Sequence, residues 1–110
     1  MNAPYVYSTL GADPDLGELI EMYVAEMPER IEALETQARN RDWQQLSRTA
    51  HQLKGAAGSY GFHVVTPCAA RLENAAKDGR SEEAILAALV ELLDICRRMR
   101  CGPAGTRHPD

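Results

Sequence analysis

Leu46, Ala50, Leu53, Ala57 and Tyr60 follow one another at steps of three or four residues, a spacing that an α-helix turns into one continuous apolar side. At about 100° per residue, His51 falls off that stripe. Lys54, Gly55 and Gly58 lie three, four and seven residues beyond it, and Ser47 and Arg48 one turn before, so the histidine has a cation and bare backbone around it. A glycine inside a helix costs roughly 1 kcal/mol relative to alanine, and here two occupy the histidine's own face. Either the bare backbone admits another molecule close to His51, or the helix ends early with a glycine as its left-handed cap. Gly61 is assigned to the cap. Gly55 and Gly58 are assigned to docking.

The remaining segments supply partners for this helix. Asp13-Pro14-Asp15 predicts a helix start, with Asp13 as N-cap and Pro14 at the first helical position. Leu16, Leu19, Ile20, Tyr23, Met27, Ile31 and Leu34 carry that helix towards Arg39, and Pro28 predicts a bend or a split in it. Asp42, with Gln45 three residues on, has the form of a capping box opening the histidine helix. Past Gly61 two starts are open for the next helix, Val64-Val65 or a Thr66 cap followed by Pro67. Either places Cys68, Leu72 and Ala75 or Ala76 on one face. Ser81 caps a last helix with the stripe Ile85, Leu89, Leu92, Leu93, Cys96 and Met99, arginines at its negative end, and Gly102-Pro103 as its stop. Residues 1–11, with Tyr5, Val6, Tyr7 and Leu10, predict a short helical turn or an extended strap across the bundle. The fold class is therefore all-α: an antiparallel up-down-up-down four-helix bundle with a short N-terminal helical or extended segment. Residues 1–102 form one domain, and 103–110 read as a disordered tail.

Composition agrees. Of 110 residues, 45% are hydrophobic and only 5% aromatic, which suits an Ala/Leu-rich bundle better than a β-sandwich. A formal net charge of −4 argues against nucleic acid as a partner. Eight acids against Arg30 alone lie between Asp13 and Glu35, whereas Arg39, Arg41, Arg48 and Lys54 cluster on or before the histidine helix, a local basic surface suited to an acidic pocket. Cys68, Cys96 and Cys101 are odd in number and lack CxxC spacing, which disfavours a disulfide scaffold and fits a reducing cytoplasm. Neither they nor His63 and His108 have metal-ligand spacing, so no metal site is expected. No apolar run is long enough to span a bilayer, and no membrane association is expected.

A neutral imidazole is a good nucleophile near neutral pH once a carboxylate holds one ring N–H and aims the other nitrogen outward. In an up-down bundle the second and third helices are neighbours, so Glu73 and Lys77 can lie beside His51. The run His51-Gln52-Leu53-Lys54-Gly55-Ala56-Ala57-Gly58-Ser59-Tyr60-Gly61-Phe62, followed by Leu72-Glu73, resembles the signature of histidine-containing phosphotransfer (HPt) domains. The similarity extends over roughly Asp13 to Arg100. It implies a phosphorelay intermediate of two-component signalling, with His51 as phosphoacceptor, Glu73 orienting it, Lys54 and Lys77 stabilising the phosphoryl group, and Ser47, Arg48, Gly55 and Gly58 at the docking face. The implied partners are receiver domains of response regulators and a hybrid sensor histidine kinase, with magnesium on the receiver and no cofactor on this chain, which is expected to be monomeric. No Gly-rich nucleotide-binding segment is present, so the chain is expected to carry the phosphoryl group stoichiometrically rather than act as a kinase. Two other readings share these residues: a bundle that docks receivers without transferring phosphate, and the excised phosphoacceptor domain of a larger histidine kinase.

Overall fold

The computed structural model describes residues 4–102; the expected disordered tail lies outside them. In chain order the elements are β1 (Val6–Tyr7), α1 (Gly17–Ala25), α2 (Met27–Arg39), α3 (Trp43–Ser59), α4 (Val65–Lys77), α5 (Glu82–Arg98) and β2 (Met99–Arg100). Helices α2 to α5 pack as a ring in which each touches the next and α5 closes against α2. One apolar core runs through them, with Leu34, Leu46, Ala50, Leu72 and Leu92 fully buried.

The expected first helix is split, as Pro28 requires. Glu26 is at once the last cap of α1 and the first of α2, and Pro28 sits in the opening turn of α2, where its missing N–H costs nothing. The start is later than the sequence predicts. Asp13 accepts a hydrogen bond from the Asp15 N–H through its side chain, and through its carbonyl from Leu16 and Gly17. It therefore caps a separate turn, and regular helix begins only at Gly17. Leu19, assigned to the buried stripe, is 47% exposed.

The histidine helix begins as expected, with the Asp42 carboxylate accepting from the Gln45 N–H at 3.2 Å. Only this half of the capping box forms, because the Asp42 N–H is bonded to the Gln37 carbonyl. Of the two starts open for α4, the valine pair is realised: Val64 precedes the helix without a side-chain cap, and Val65 is its first, fully buried residue. Ser81 caps α5 through the Ala84 N–H. That helix stops at Arg98, short of Gly102, because Met99 and Arg100 turn extended and pair in parallel with Val6 and Tyr7. Of the two forms open for the N-terminal segment, the extended one is the one found.

Helices α2, α3 and α4 end alike. In each the residue after the cap is left-handed (Arg41 φ 54°, Gly61 φ 82°, Gly79 φ 68°). The next N–H then reaches back to the last turn: Asp42 to Gln37, Phe62 to Ala57 and Arg80 to Ala75. Gly61 is thus the cap the sequence assigns. Its place is also crowded, since the N-terminal strap lies on it: Thr9 N–H donates to the Gly61 carbonyl, and the buried Ser8 hydroxyl donates to the Tyr60 carbonyl. A side chain at Gly61 would collide with Ser8, Thr9 and Leu10. Gly61→Ala therefore combines the left-handed penalty of roughly 1–2 kcal/mol with displacement of the strap. It is expected to lower stability by at least about 2 kcal/mol in urea denaturation, whereas Gly79→Ala, with open space around it, should lose only the conformational part.

Candidate functional site

α3 and α4 form the most extensive helix pair of the fold. Small residues allow this, with Ala50 and Ala57 on α3 and Ala69 and Ala76 on α4 all buried between or beside them. The stripe of α4 consists of Val65, Cys68, Ala69, Leu72, Glu73 and Ala76. One member is an acid. Glu73 is 9% exposed in a row otherwise apolar or small, and an ionised carboxylate there needs donors.

α3 provides two. His51 Nδ1 lies 2.8 Å from Glu73 Oε2, and Lys54 Nζ donates to Glu73 Oε1 at 2.7 Å. Three residues apart on one helix, the two side chains reach the same carboxylate. The Lys54 ammonium, foremost, and then the His51 imidazole hold the Glu73 carboxyl below its ordinary value of 4.5, against a burial effect that works the other way. Glu73 is therefore ionised at neutral pH and can only accept. In the neutral imidazole, Nδ1 is then the donor to Glu73 and Nε2 bears the lone pair. With 63% of the His51 side chain exposed against 12% for Glu73, the ring extends from the carboxylate towards solvent.

An open groove of about 430 Å³ runs along this face, lined by Gln44, Ser47, Arg48, His51, Glu73, Ala76 and Lys77. Arg48 and Lys77 are exposed, and among the described residues neither has an ion-pair partner within 4.0 Å. Ser47 donates to the Glu73 carbonyl at 3.3 Å. Gly55 faces open space, and a Cβ at Gly58 would meet only the Thr66 hydroxyl, at 3.4 Å. Gln44 is the lining residue that sequence reasoning omitted; its position one turn before Ser47 and Arg48 was the available signal.

The basic surface differs from its sequence reading. Arg41 is paired with Glu82, and Arg39 and Arg41 border a different groove beside Trp43 and Leu86. Chain proximity misplaced them: they precede the helix at its far end. The cations at His51 are Arg48, Lys54 and, from α4, Lys77. His63 is exposed at the α3–α4 turn, away from the groove, and His108 lies outside the described residues. Cys68 and Cys96 are buried core residues. Among the described residues no group of three His, Cys, Asp or Glu could hold a metal ion, and no helix is long and apolar enough to cross a membrane.

The family model of the Hpt domain matches residues 18–100. The chain belongs to the Hpt domain family. Neither a curated protein nor a solved structure matches it. Membership brings histidine phosphotransfer in two-component phosphorelays, and modules of this family interact with receiver domains and kinases without themselves containing a kinase or ATP-binding domain.

Because the Glu73 carboxyl titrates below its ordinary value, its bonds stabilise the fold above that value, and the contribution is lost as pH falls through the folded-state value. Glu73→Gln is accordingly expected to be less stable than the parent at pH 7, by about 1–2 kcal/mol. The difference should shrink once the pH is taken below about 4.5, as measured by urea denaturation at each pH. A gap independent of pH would mean that the carboxylate charge is not what His51 and Lys54 stabilise.

Proposed function

We propose that the chain is a phosphorelay intermediate that accepts a phosphoryl group on Nε2 of His51 from a receiver-domain aspartate and passes it to a second receiver. The observation that supports this most directly is the Nδ1–Glu73 bond, which leaves Nε2 unprotonated on the open side of the pair. The P–O bond to the donor aspartate breaks as the P–N bond to His51 forms, and the aspartate leaves as a carboxylate. The Nδ1 proton stays where it is. The phosphorylated ring is then a cation, and its charge faces the Glu73 carboxylate, so the same bond that orients the nucleophile also stabilises the product.

Phosphoryl transfer needs positioning and charge neutralisation more than covalent help. Lys54 uses one ammonium proton on Glu73 and retains two donors for the phosphoryl oxygens. Lys77 and Arg48, on the groove and without an ion-pair partner among the described residues, provide further positive charge. Gly55 and Gly58 let the receiver's acidic pocket close on His51, and that pocket holds the magnesium. The chain carries the group stoichiometrically, in the cytoplasm, with a hybrid sensor histidine kinase upstream, and works as a monomer.

The test is transfer from a phosphorylated receiver to the parent chain and to His51→Gln. The label should be lost in acid, survive base, and be absent from the variant, whose circular dichroism stays helical. Lys54→Ala should slow transfer by about 10²-fold, within the usual range for one electrostatic contact to a transferring group, and Gly58→Trp should weaken docking with the helix intact. A folded parent that takes no label from several receivers would instead support a docking module without transfer. Unchanged rates in Gly58→Trp would remove the docking role of that glycine.

A further inference from the structure

The His51–Glu73 bond joins residues from two helices, so its length depends on how α3 and α4 are set against each other along their axes. The buried residues Ala50, Leu53 and Ala57 of α3 and Ala69, Leu72 and Ala76 of α4 are apolar, and their burial is non-directional. They drive the helices together without fixing their register to the few tenths of an ångström that a hydrogen bond requires.

Two hydroxyls cross the interface in opposite directions. Ser47 of α3 donates to the backbone carbonyl of Glu73, and Thr66 of α4 donates to the backbone carbonyl of Lys54, each at 3.3 Å. The two acceptors belong to the residues whose side chains meet in the Lys54–Glu73 bond. A helical serine or threonine commonly bonds back to a carbonyl of its own helix. Here both reach the neighbour. Thr66 stands in the first turn of α4, where the sequence offers it as a cap, yet α4 has no side-chain cap. The Thr66 hydroxyl also lies beside Gly58, one turn beyond Lys54, where an added Cβ would meet it at 3.4 Å.

We propose that Ser47 and Thr66 are positioning residues for phosphotransfer: together they lock the register of α3 and α4, and with it the geometry of His51 on Glu73. The proposal rests on the reading of His51 as the phosphoacceptor only for its link to transfer rate. Its structural part is tested without any phosphoryl donor.

The experiment compares the parent chain with Ser47→Ala, Thr66→Val and the double variant, and with the conservative Ser47→Thr and Thr66→Ser. It reads the imidazole nitrogen shifts of His51 by NMR at pH 8, together with transfer from a phosphorylated receiver. The parent should show the Nδ1–H tautomer imposed by Glu73. In the double variant the shifts should move towards the mixture of a free imidazole, in which Nε2–H dominates, and transfer should slow on the order of tenfold, less than the 10² that a 1 Å misplacement can cost. Both conservative variants should keep the parent's tautomer, and Thr66→Ser the parent's rate. A helical double variant with the parent's nitrogen shifts overturns the proposal. If the double variant does not fold, parent-like shifts in both single variants overturn it equally. A tautomer shift without labelling of the parent would leave the register role standing and remove the relay reading instead.

Discussion

An ionised carboxylate on the apolar stripe of α4 is the constraint around which this bundle is arranged. Glu73 occupies a position where leucine or alanine would extend the row of Leu72 and Ala76, and it is almost as buried as they are. A charge so placed is tolerable only if donors reach both oxygens, and such a pair is unforgiving of separation. That demand selects the rest: His51 and Lys54 three residues apart on α3, and alanines at the contact so that the helices come close enough for a lysine and a histidine to touch one carboxylate. The acid thereby acquires two partners. The histidine acquires a fixed tautomer.

Holding α3 in place is the task of its two ends. Its start is capped by Asp42, and its end is closed by Gly61 and pressed from outside by the N-terminal strap, which is itself anchored by the pairing of Val6 and Tyr7 with Met99 and Arg100. Tyr60, at the cap, stacks on Tyr23 of α1 with ring centroids 4.7 Å apart. The helix bearing His51 is thus tied to α1, to the strap and, through β1, to the end of α5. The strap brings the first described residues and the last together on one side of the bundle.

Local rules made much of this legible. Helical periodicity places His51, Lys54 and the glycines on one face, and cap chemistry marks Asp42, Gly61 and Ser81 because each of those residue types is favoured there for a definite physical reason. The misses share the opposite character. Arg41 takes the same left-handed closure as Gly61, but an arginine carries no such signal, and its conformation is set by the hydrogen bonds of Arg41 and Asp42 back to Ala38 and Gln37. Met99 and Arg100 leave the helix because a strand 93 residues earlier is there to pair with them, which no window around them reveals. Thr66 looks like a cap in sequence and becomes a bridge in space, since its acceptor is on another helix. Glu73 beside His51 was legible through the family signature and the bundle topology together. That Lys54 also binds Glu73 was not, because spacing on α3 fixes which side chains are neighbours but not which partner they choose.

That last choice matters for the chemistry. A carboxylate is the right group to orient an imidazole and the wrong group to place beside an incoming phosphoryl dianion. At about 5 Å and an effective dielectric near 20, each unit of like charge is worth roughly 3 kcal/mol of repulsion. Lys54, bonded to Glu73 at 2.7 Å, cancels that charge at its source and leaves the hydrogen bond to Nδ1 intact. Arg48 and Lys77, which among the described residues have no ion-pair partner, then set the sign of the groove. In the proposed relay the three cations accordingly have different work: Lys54 makes the orienting acid compatible with an anionic substrate, and Arg48 and Lys77 make the face attractive to it. On that proposal, a lysine three residues after the histidine answers the glutamate on the neighbouring helix as much as the phosphoryl group.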